Sequence, residues 1–335
     1  MSRVGIVVIG RNEGERLERC LRSLERLECE ATAVYVDSGS SDASVAFARS
    51  RGCRVVELDT STRFSAARAR NEGLRHLLAE QPEIEFVQFV DGDCEVAAGW
   101  IPRALEMMRA SPETAIVCGR RRERHPEVSV YNRLCDLEWD TPVGETTACG
   151  GDFLARARPV QQVGGLDATV VAGEEPELCL RLRRAGWRIH RIDAEMTLHD
   201  AAITSFAQWW RRDLRTGHAY AQATAMHGSA PERFRIRENA SIAFWSLALP
   251  LAALAAAPLT RGASLALFAV YPLQVARIAR RERRRTRSAS DAWVYAILCV
   301  VGKWAQLAGQ VKYLHHRWRG RLPEIIEYKG APDGI

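Results

Sequence analysis

The sequence predicts an α/β domain on a mostly parallel, Rossmann-like mixed sheet, followed by an apolar helical region. Three observations carry this prediction. Apolar runs of strand length alternate with helical periodicities through the first ninety residues. The fourth such run ends abruptly in Asp91-Gly92-Asp93. No charged residue occurs from Asn239 to Thr260 or from Gly262 to Ala276, although 26% of the 335 residues are charged.

Val4 to Ile9 reads as a buried parallel strand. Leu17, Cys20, Leu21, Leu24 and Leu27 then recur at helical spacing. Ala31 to Val36 is a second strand, stopped by the turn-forming run Asp37 to Asp42. Ser44–Arg51 and Ala66–Leu78 read as helices on either side of a strand at Arg54–Leu58, and Phe86–Val90 is the fourth strand. The β-α-β-α-β-α-β order places helices on both faces of the sheet. Further on, helices are expected at Trp100–Arg109, Glu177–Ala185 and Ile203–Met226, and strands at Thr114–Gly119 and Arg188–Ile192.

These elements make residues 1–235 one domain and 236–335 a membrane region. Spans are expected at about 241–260 and 262–279. A helix at about 292–311 has Lys303 near its middle, and crossing with it would place His315, His316, Arg317, Arg319 and Arg321 outside, against the positive-inside preference. It is therefore expected to lie at the interface, with three spans as the alternative, and a basic tail follows. Seven of the eleven residues from Arg277 to Arg287 are arginine. Beside an apolar segment such a run favours the cytoplasmic side and anionic lipid, at roughly 1 kcal/mol per arginine, over nucleic acid. The nine cysteines form no CxxC pair, which argues against a disulfide framework or zinc site and fits a reducing compartment. The amino terminus reads as a first strand, with no signal peptide. The expected location is the cytoplasmic membrane, with the first domain facing the cytoplasm.

Four motifs carry the chemistry. Val8-Ile9-Gly10-Arg11-Asn12-Glu13 ends the first strand, and Val36-Asp37-Ser38-Gly39-Ser40-Ser41-Asp42 ends the second. Asp91 and Asp93 stand at the carboxyl end of a strand, where open α/β sheets bind ligands, and suit a hard divalent cation carrying a diphosphate. Gly173-Glu174-Glu175-Pro176-Glu177-Leu178 opens a helix with three acids. On these motifs residues 3–220 resemble an inverting family 2 glycosyltransferase of GT-A fold, the nucleotide-diphospho-sugar transferase architecture, of membrane-anchored bacterial type.

The resemblance implies a nucleotide-sugar donor, expected to be a UDP-sugar, held near Ile9, Arg11 and Asp37. Ala69-Arg70-Asn71 would add phosphate contacts from Arg70 and Asn71. Asp93 would hold Mn²⁺ or Mg²⁺, with Asp91 closer to the ribose or metal-bound water and His199 completing the set. A carboxylate at Glu174-Glu175 would be the base that takes the acceptor proton. The family carries Glu-Asp there, so Glu174, Glu175 and Glu177 all stay open. Gly150-Gly151-Asp152 would be an acceptor-side loop. Gln208-Trp209-Trp210-Arg211-Arg212 resembles in part the Gln-x-x-Arg-Trp motif of processive synthases, with Arg212 in place of its tryptophan, which favours single-sugar transfer. The membrane region points to a lipid-linked or growing-glycan acceptor in envelope or exopolysaccharide synthesis. The rival readings are a nucleotidyltransferase, disfavoured because Gly10 to Gly14 lacks lysine, and a non-catalytic nucleotide-sugar-binding membrane scaffold.

Overall fold

The computed structural model describes residues 4–229, 231–286 and 288–320, so residues 321–335 of the expected basic tail lie outside the described residues. The chain packs as two units. The first holds residues 4–125, 138–170 and 174–201, and the second 126–137, 171–173 and 202–320. The division thus falls at Ala201 rather than near 235, because the helix expected at the end of the first domain packs with the helices that follow it.

The first unit is one sheet covered by helices. Its strands are β1 (Val4–Gly10), β2 (Ala31–Asp37), β3 (Arg54–Glu57), β4 (Phe86–Asp91), β5 (Cys94–Val96), β6 (Thr114–Glu123), β7 (Gly144–Thr146), β8 (Phe153–Arg156) and β9 (Arg188–His199). Their order is β3-β2-β1-β4-β8-β6-β9-β5, with β7 also on β9. The block β3-β2-β1-β4 is parallel, as expected. Beyond it β8 runs antiparallel to both β4 and β6, while β9 is parallel to β6. β5, β7 and β8 are only three or four residues long, too short to show a period of two in the sequence.

The helices are α1 (Glu15–Leu24), α2 (Ser44–Ser50), α3 (Ala66–Glu80), α4 (Trp100–Ala110), α5 (Val130–Glu138), α6 (Ala157–Gln162) and α7 (Glu174–Arg184), with most of α5 in the second unit. β1 and β4 are buried almost throughout, consistent with a sheet covered on both faces. α3 approaches the sheet at Gly73, where a Cβ would stand 2.4 Å from Val7 Cγ1. This close approach sets the depth of Arg70, one turn earlier.

The second unit is helical: α8 (Phe206–His227), α9 (Ile236–Ala243), a π turn (Phe244–Ala248), α10 (Leu249–Ala255), a 3₁₀ segment (Ala263–Ala269), α11 (Val270–Glu282) and α12 (Ala289–Trp318). α8 starts in a capping box between Ser205 and Gln208. Gln208 of the partial synthase motif therefore serves its own helix, and Trp209 is buried beside Phe206 and Tyr131. Among the described residues, two helices are long and apolar enough to cross a membrane, Ile236–Ala255 and Ala289–Trp318. The first overlaps the expected span at 241–260. The stretch at 262–279 is not one α-helix: it begins as a 3₁₀ segment, and Pro272 cannot donate the backbone hydrogen bond that would carry an α-helix through that point. The helix expected at 292–311 is longer than its apolar core, at 30 residues.

Candidate active site

The loops after β1 and β2 are stitched to each other. Ser41 N–H donates to Asn12 Oδ1 (2.8 Å), Asn12 N–H to Ser40 Oγ (2.9 Å) and Gly14 N–H to Asp42 Oδ2 (3.1 Å). Asp42 also accepts from Ser44 N–H at the start of α2, as a helix cap does. Asp37 differs from its expected role. Its buried carboxylate accepts from the Tyr35 hydroxyl (2.9 Å), the backbone N–H groups of Gly39 (2.9 Å) and Ser40 (2.8 Å), and the Ser40 hydroxyl (2.5 Å). Those four bonds use the acceptor capacity of a carboxylate, so Asp37 shapes its own turn rather than offering a free acceptor. Gly39 takes a φ of +85° there, which glycine adopts without strain.

Two further residues are spent on the scaffold. The Asn71 amide donates to Leu166 C=O (2.7 Å) and accepts from Leu166 N–H (2.9 Å), clamping the loop before α7. Arg68 donates to the carbonyls of Asp59, Thr62 and Arg63. Ile9 is buried, and its carbonyl accepts from Gly92 N–H (2.8 Å). Arg11 is exposed, with its guanidinium 5.2 Å from the centre of the Phe64 ring.

The centre of the site is Arg70, 1% exposed. One terminal nitrogen donates to Asp91 Oδ1 (2.7 Å) and to Gly151 C=O (3.3 Å). The other donates to Glu174 Oε1 (2.8 Å) and lies 3.1 Å from Glu175 Oε1. One guanidinium thus joins the acid that ends β4 to the two that open α7. Burial alone would lower its pKa; Asp91, Glu175 and Glu174 together hold it above the ordinary value. The three acids of α7 separate in role. Glu177 is paired to Arg181 one turn on, with contacts of 2.7 and 2.6 Å. Glu174 is hydrogen-bonded to Arg70 and 4% exposed. Glu175 is pushed up to about 7, first by burial and then by the charge of Glu174, with Arg70 opposing.

A second arginine, Arg121 of β6, lies 2.8 Å from Asp152 Oδ2 and 3.4 Å from Asp91 Oδ2. Asp152 is fully buried and accepts from Asp91 N–H (3.0 Å) and the Thr197 hydroxyl (2.7 Å). Burial would raise its pKa, but Arg121 and these two donors hold it below the usual range. Gly151 fills the gap: a Cβ there would stand 2.4 Å from Asp91 Oδ2 and 2.9 Å from an Arg70 nitrogen.

Asp91 and Asp93 part company at Gly92, where the strand ends instead of continuing. Asp91 belongs with the arginines. Asp93 Oδ1 faces His199 Nε2 at 3.4 Å, at the end of β9, and accepts from the Cys94 thiol at 3.5 Å. These three donor atoms lie within 4.8 Å of one another. Neighbouring ligands about 2.1 Å from a shared ion stand about 3 Å apart, so Asp93 and His199 fit one divalent cation. Behind His199, Glu123 Oε2 lies 3.9 Å from Nδ1, and the Trp139 ring packs edge-on at 4.7 Å. Residues 5–146 match the model for glycosyl transferase family 2.

That segment is a glycosyl transferase family 2 domain. Among its relatives is the pre-mycofactocin glycosyltransferase of Mycobacterium tuberculosis, 28% identical over 240 residues that make 67% of this chain and 48% of the relative. The chain spans about half the length of that relative. The glycosyltransferase AglE of Haloferax volcanii is 20% identical over 255 residues, 73% of this chain and 80% of the relative. In fold, the chain resembles the mannosyltransferase PcManGT of Pyrobaculum calidifontis, solved with GDP-Man and Mn²⁺, at TM-score 0.64 and 20% identity over 93% of this chain and 87% of that one. Residues 1–349 of S. aureus TarS give 0.51 at 14% identity, over 99% and 100%.

For a family 2 domain, then, the structure brings Arg70, Asp91, Glu174 and Glu175 together, and separately Asp93 with His199. It leaves Asp37 and Asn71 to the scaffold. Sequence reasoning missed Arg121, Glu123 and Trp139, which sit in a stretch without a motif; the only signal was an arginine triplet, Arg120 to Arg122, at the end of a strand.

Proposed function

We propose that the chain transfers a single sugar, with inversion, from a nucleotide-sugar donor to an acceptor hydroxyl at a membrane face, using a divalent cation. One observation carries this: Arg70 ties the acid at the end of β4 to Glu175 through a single buried guanidinium. The donor-side and acceptor-side carboxylates are thereby held at one place.

Glu175 is the base. Its pKa near 7 matches the operating range of a proton acceptor, and it is the α7 acid that is neither paired along the helix like Glu177 nor hydrogen-bonded as closely to Arg70 as Glu174. Its carboxylate takes the proton of the acceptor hydroxyl as that oxygen bonds to the anomeric carbon. The bond from that carbon to the donor phosphate breaks, and the leaving nucleoside diphosphate keeps the electron pair. Arg70 and Arg121 hold Asp91 in place beside this reaction. Asp93 and His199 would hold Mn²⁺ or Mg²⁺; a carboxylate and imidazole pair leans toward Mn²⁺. When bound, such a cation would supply positive charge for the leaving diphosphate.

UDP-sugars are the sequence-based expectation for the donor, and the GDP-Man of the Pyrobaculum enzyme puts GDP-sugars beside them. A cytoplasm-facing site suits nine free thiols, including Cys149 and Cys179, whose sulfurs are hydrogen-bonded at 3.5 Å and not joined as a disulfide. The apolar second unit supports membrane attachment and a lipid-linked acceptor. Calorimetry with UDP- and GDP-sugars in Mn²⁺ tests the reading. Binding of one donor that disappears with chelator, and in Asp93→Asn and His199→Ala, is expected. No binding of any donor would overturn it, and binding without turnover would favour the scaffold reading.

A further inference from the structure

α12 is the longest apolar helix among the described residues, and by length and composition it passes as a membrane span. Its packing says otherwise. α8 lies directly along it through glycines: a Cβ on Gly217 would meet the Gln306 carbonyl at 1.9 Å, and one on Gly309 would meet the Leu214 carbonyl at 2.0 Å. Backbone touches backbone, so the two helices share one depth. The α8 residues beside this contact include Arg211, Arg212, Asp213 and Arg215. Asp213 accepts from Gln306 (2.8 Å), which in turn accepts from Lys303 (3.2 Å), and Gln310 donates to Asn239 of α9 (2.6 Å). If α12 crossed a bilayer, its middle would carry this polar layer and the charges of α8 to the hydrocarbon centre. Each charge taken there disfavours insertion by about a hundredfold.

The exposed apolar residues of α12 tell the same story. Trp293, Ile297, Trp304, Val311 and Trp318 are all exposed, Trp318 by 82%, and the last four recur every seven residues. They form one narrow stripe. Gly302, Ala305, Gly309 and Tyr313 are buried on the other side. A stripe with tryptophan at both ends and polar flanks is the pattern of a helix lying in the interface plane.

The broader apolar surface lies elsewhere. The segment Phe244–Tyr271 doubles back on itself: Tyr271 contacts the Trp245 carbonyl, and the Ser264 hydroxyl donates to the Ala253 carbonyl (2.7 Å). Leu247, Leu251, Leu254, Leu259, Leu265 and Phe268 are exposed along it. Its base touches α12, where the Tyr271 and Trp304 rings lie 5.4 Å apart. At the far end of α11 and just beyond it, Arg277, Arg280, Arg281, Arg283 and Arg284 are exposed, while Glu282 is buried. That is a concentrated positive surface next to an apolar one.

We propose that α12 lies along the surface of an anionic membrane without crossing it, that the Phe244–Tyr271 hairpin is the part that enters the lipid, and that the arginines of 277–284 bind lipid phosphates. This rests on the membrane-attachment part of the proposed function, and on none of its chemistry.

The test uses the full chain in sealed membrane vesicles of both orientations. Ser290→Cys and Trp318→Cys place thiols at exposed positions at the two ends of α12. Each is labelled with a membrane-impermeant maleimide and compared with the unsubstituted chain. Both ends labelling from the same side is expected; labelling from opposite sides would overturn the proposal. A chain that fails to sediment with membranes at all would instead remove the attachment reading. Flotation of the purified chain with phosphatidylcholine vesicles, with and without phosphatidylglycerol, tests the lipid partner. The triple variant Arg280→Glu, Arg281→Glu, Arg284→Glu should lose at least tenfold in recovery with the anionic vesicles, since each arginine near such a surface is worth about fivefold. Equal recovery of variant and parent would show that the arginines do not bind lipid phosphate.

Discussion

The turn after β2 and the cluster around Arg70 both stand at strand ends, and both are built from buried polar side chains. They treat charge in opposite ways. Asp37 meets four neutral donors from its own turn and its own strand, which satisfies one carboxylate locally. Around Arg70 three carboxylates compete for one guanidinium, and Glu175 is left with a pKa near 7. A self-satisfied turn is a scaffold. An acid crowded by its neighbours is held ready to take a proton, and that readiness costs stability. The difference teaches where to look for chemistry in this chain: at polar groups the fold has left partly unsatisfied.

The largest effect should come from Glu175→Gln. Removing a general base typically costs 10²- to 10⁴-fold in rate, while donor binding by calorimetry should stay near the parent value. In the parent, kcat/KM should fall about tenfold per pH unit below about 7, as Glu175 becomes protonated. The same group has the reverse effect on stability. Its folded pKa lies above the ordinary 4.5, so its stabilising contribution is complete below about pH 4.5 and is lost as pH rises through about 7. Glu175→Gln should therefore melt higher than the parent at pH 8, and the gap should shrink toward pH 5. Equal melting curves at pH 8 would mean that Glu175 is not held in the crowded state described.

Arg70→Met should follow closely in size. It leaves Asp91, Glu174 and Glu175 without their shared cation, and breaking a buried pair of this kind costs about 3–5 kcal/mol. Urea titration reads it directly. A loss below about 1 kcal/mol would show that the three acids do not depend on Arg70. Gly151→Ala should cost less, about 1–3 kcal/mol, since the new Cβ must displace Asp91 and Arg70. Its turnover should fall more than its melting temperature suggests. The smallest effect belongs to the scaffold side. Asn71→Ala removes the two hydrogen bonds to Leu166 and should lower stability by about 1–2 kcal/mol with little change in donor affinity. A loss of donor affinity out of proportion to stability would return Asn71 to the nucleotide.

Much of the fold was legible. The parallel block announced itself through apolar runs and helical spacing, because strands buried on both faces are mostly apolar. β5, β7 and β8 were not legible: three or four residues carry no period, and their pairings depend on partners far along the chain. Within the site, residue types pointed to Asp91, Asp93, Glu175 and His199 through motif position, while their grouping did not follow from the sequence. Asp91 and Asp93 would have shared a face had the strand continued, and the turn at Gly92 sends them to different partners. Asp37 and Asn71 lay in the right motifs, yet only the hydrogen bonds reveal that Asp37 is held by its own turn and strand, and Asn71 by the backbone of Leu166. Arg121 was hidden in a triplet whose members differ only in which way the strand turns them.

The most direct test of the central claim is release of nucleoside diphosphate from a panel of UDP- and GDP-sugars. It would be run with Mn²⁺ and a membrane lipid extract as the source of acceptor, comparing the parent with Glu175→Gln and Glu177→Gln. Release from one donor is expected in the parent, with a loss of at least 10²-fold in Glu175→Gln and a far smaller loss in Glu177→Gln. Parent-like release in Glu175→Gln would contradict that claim.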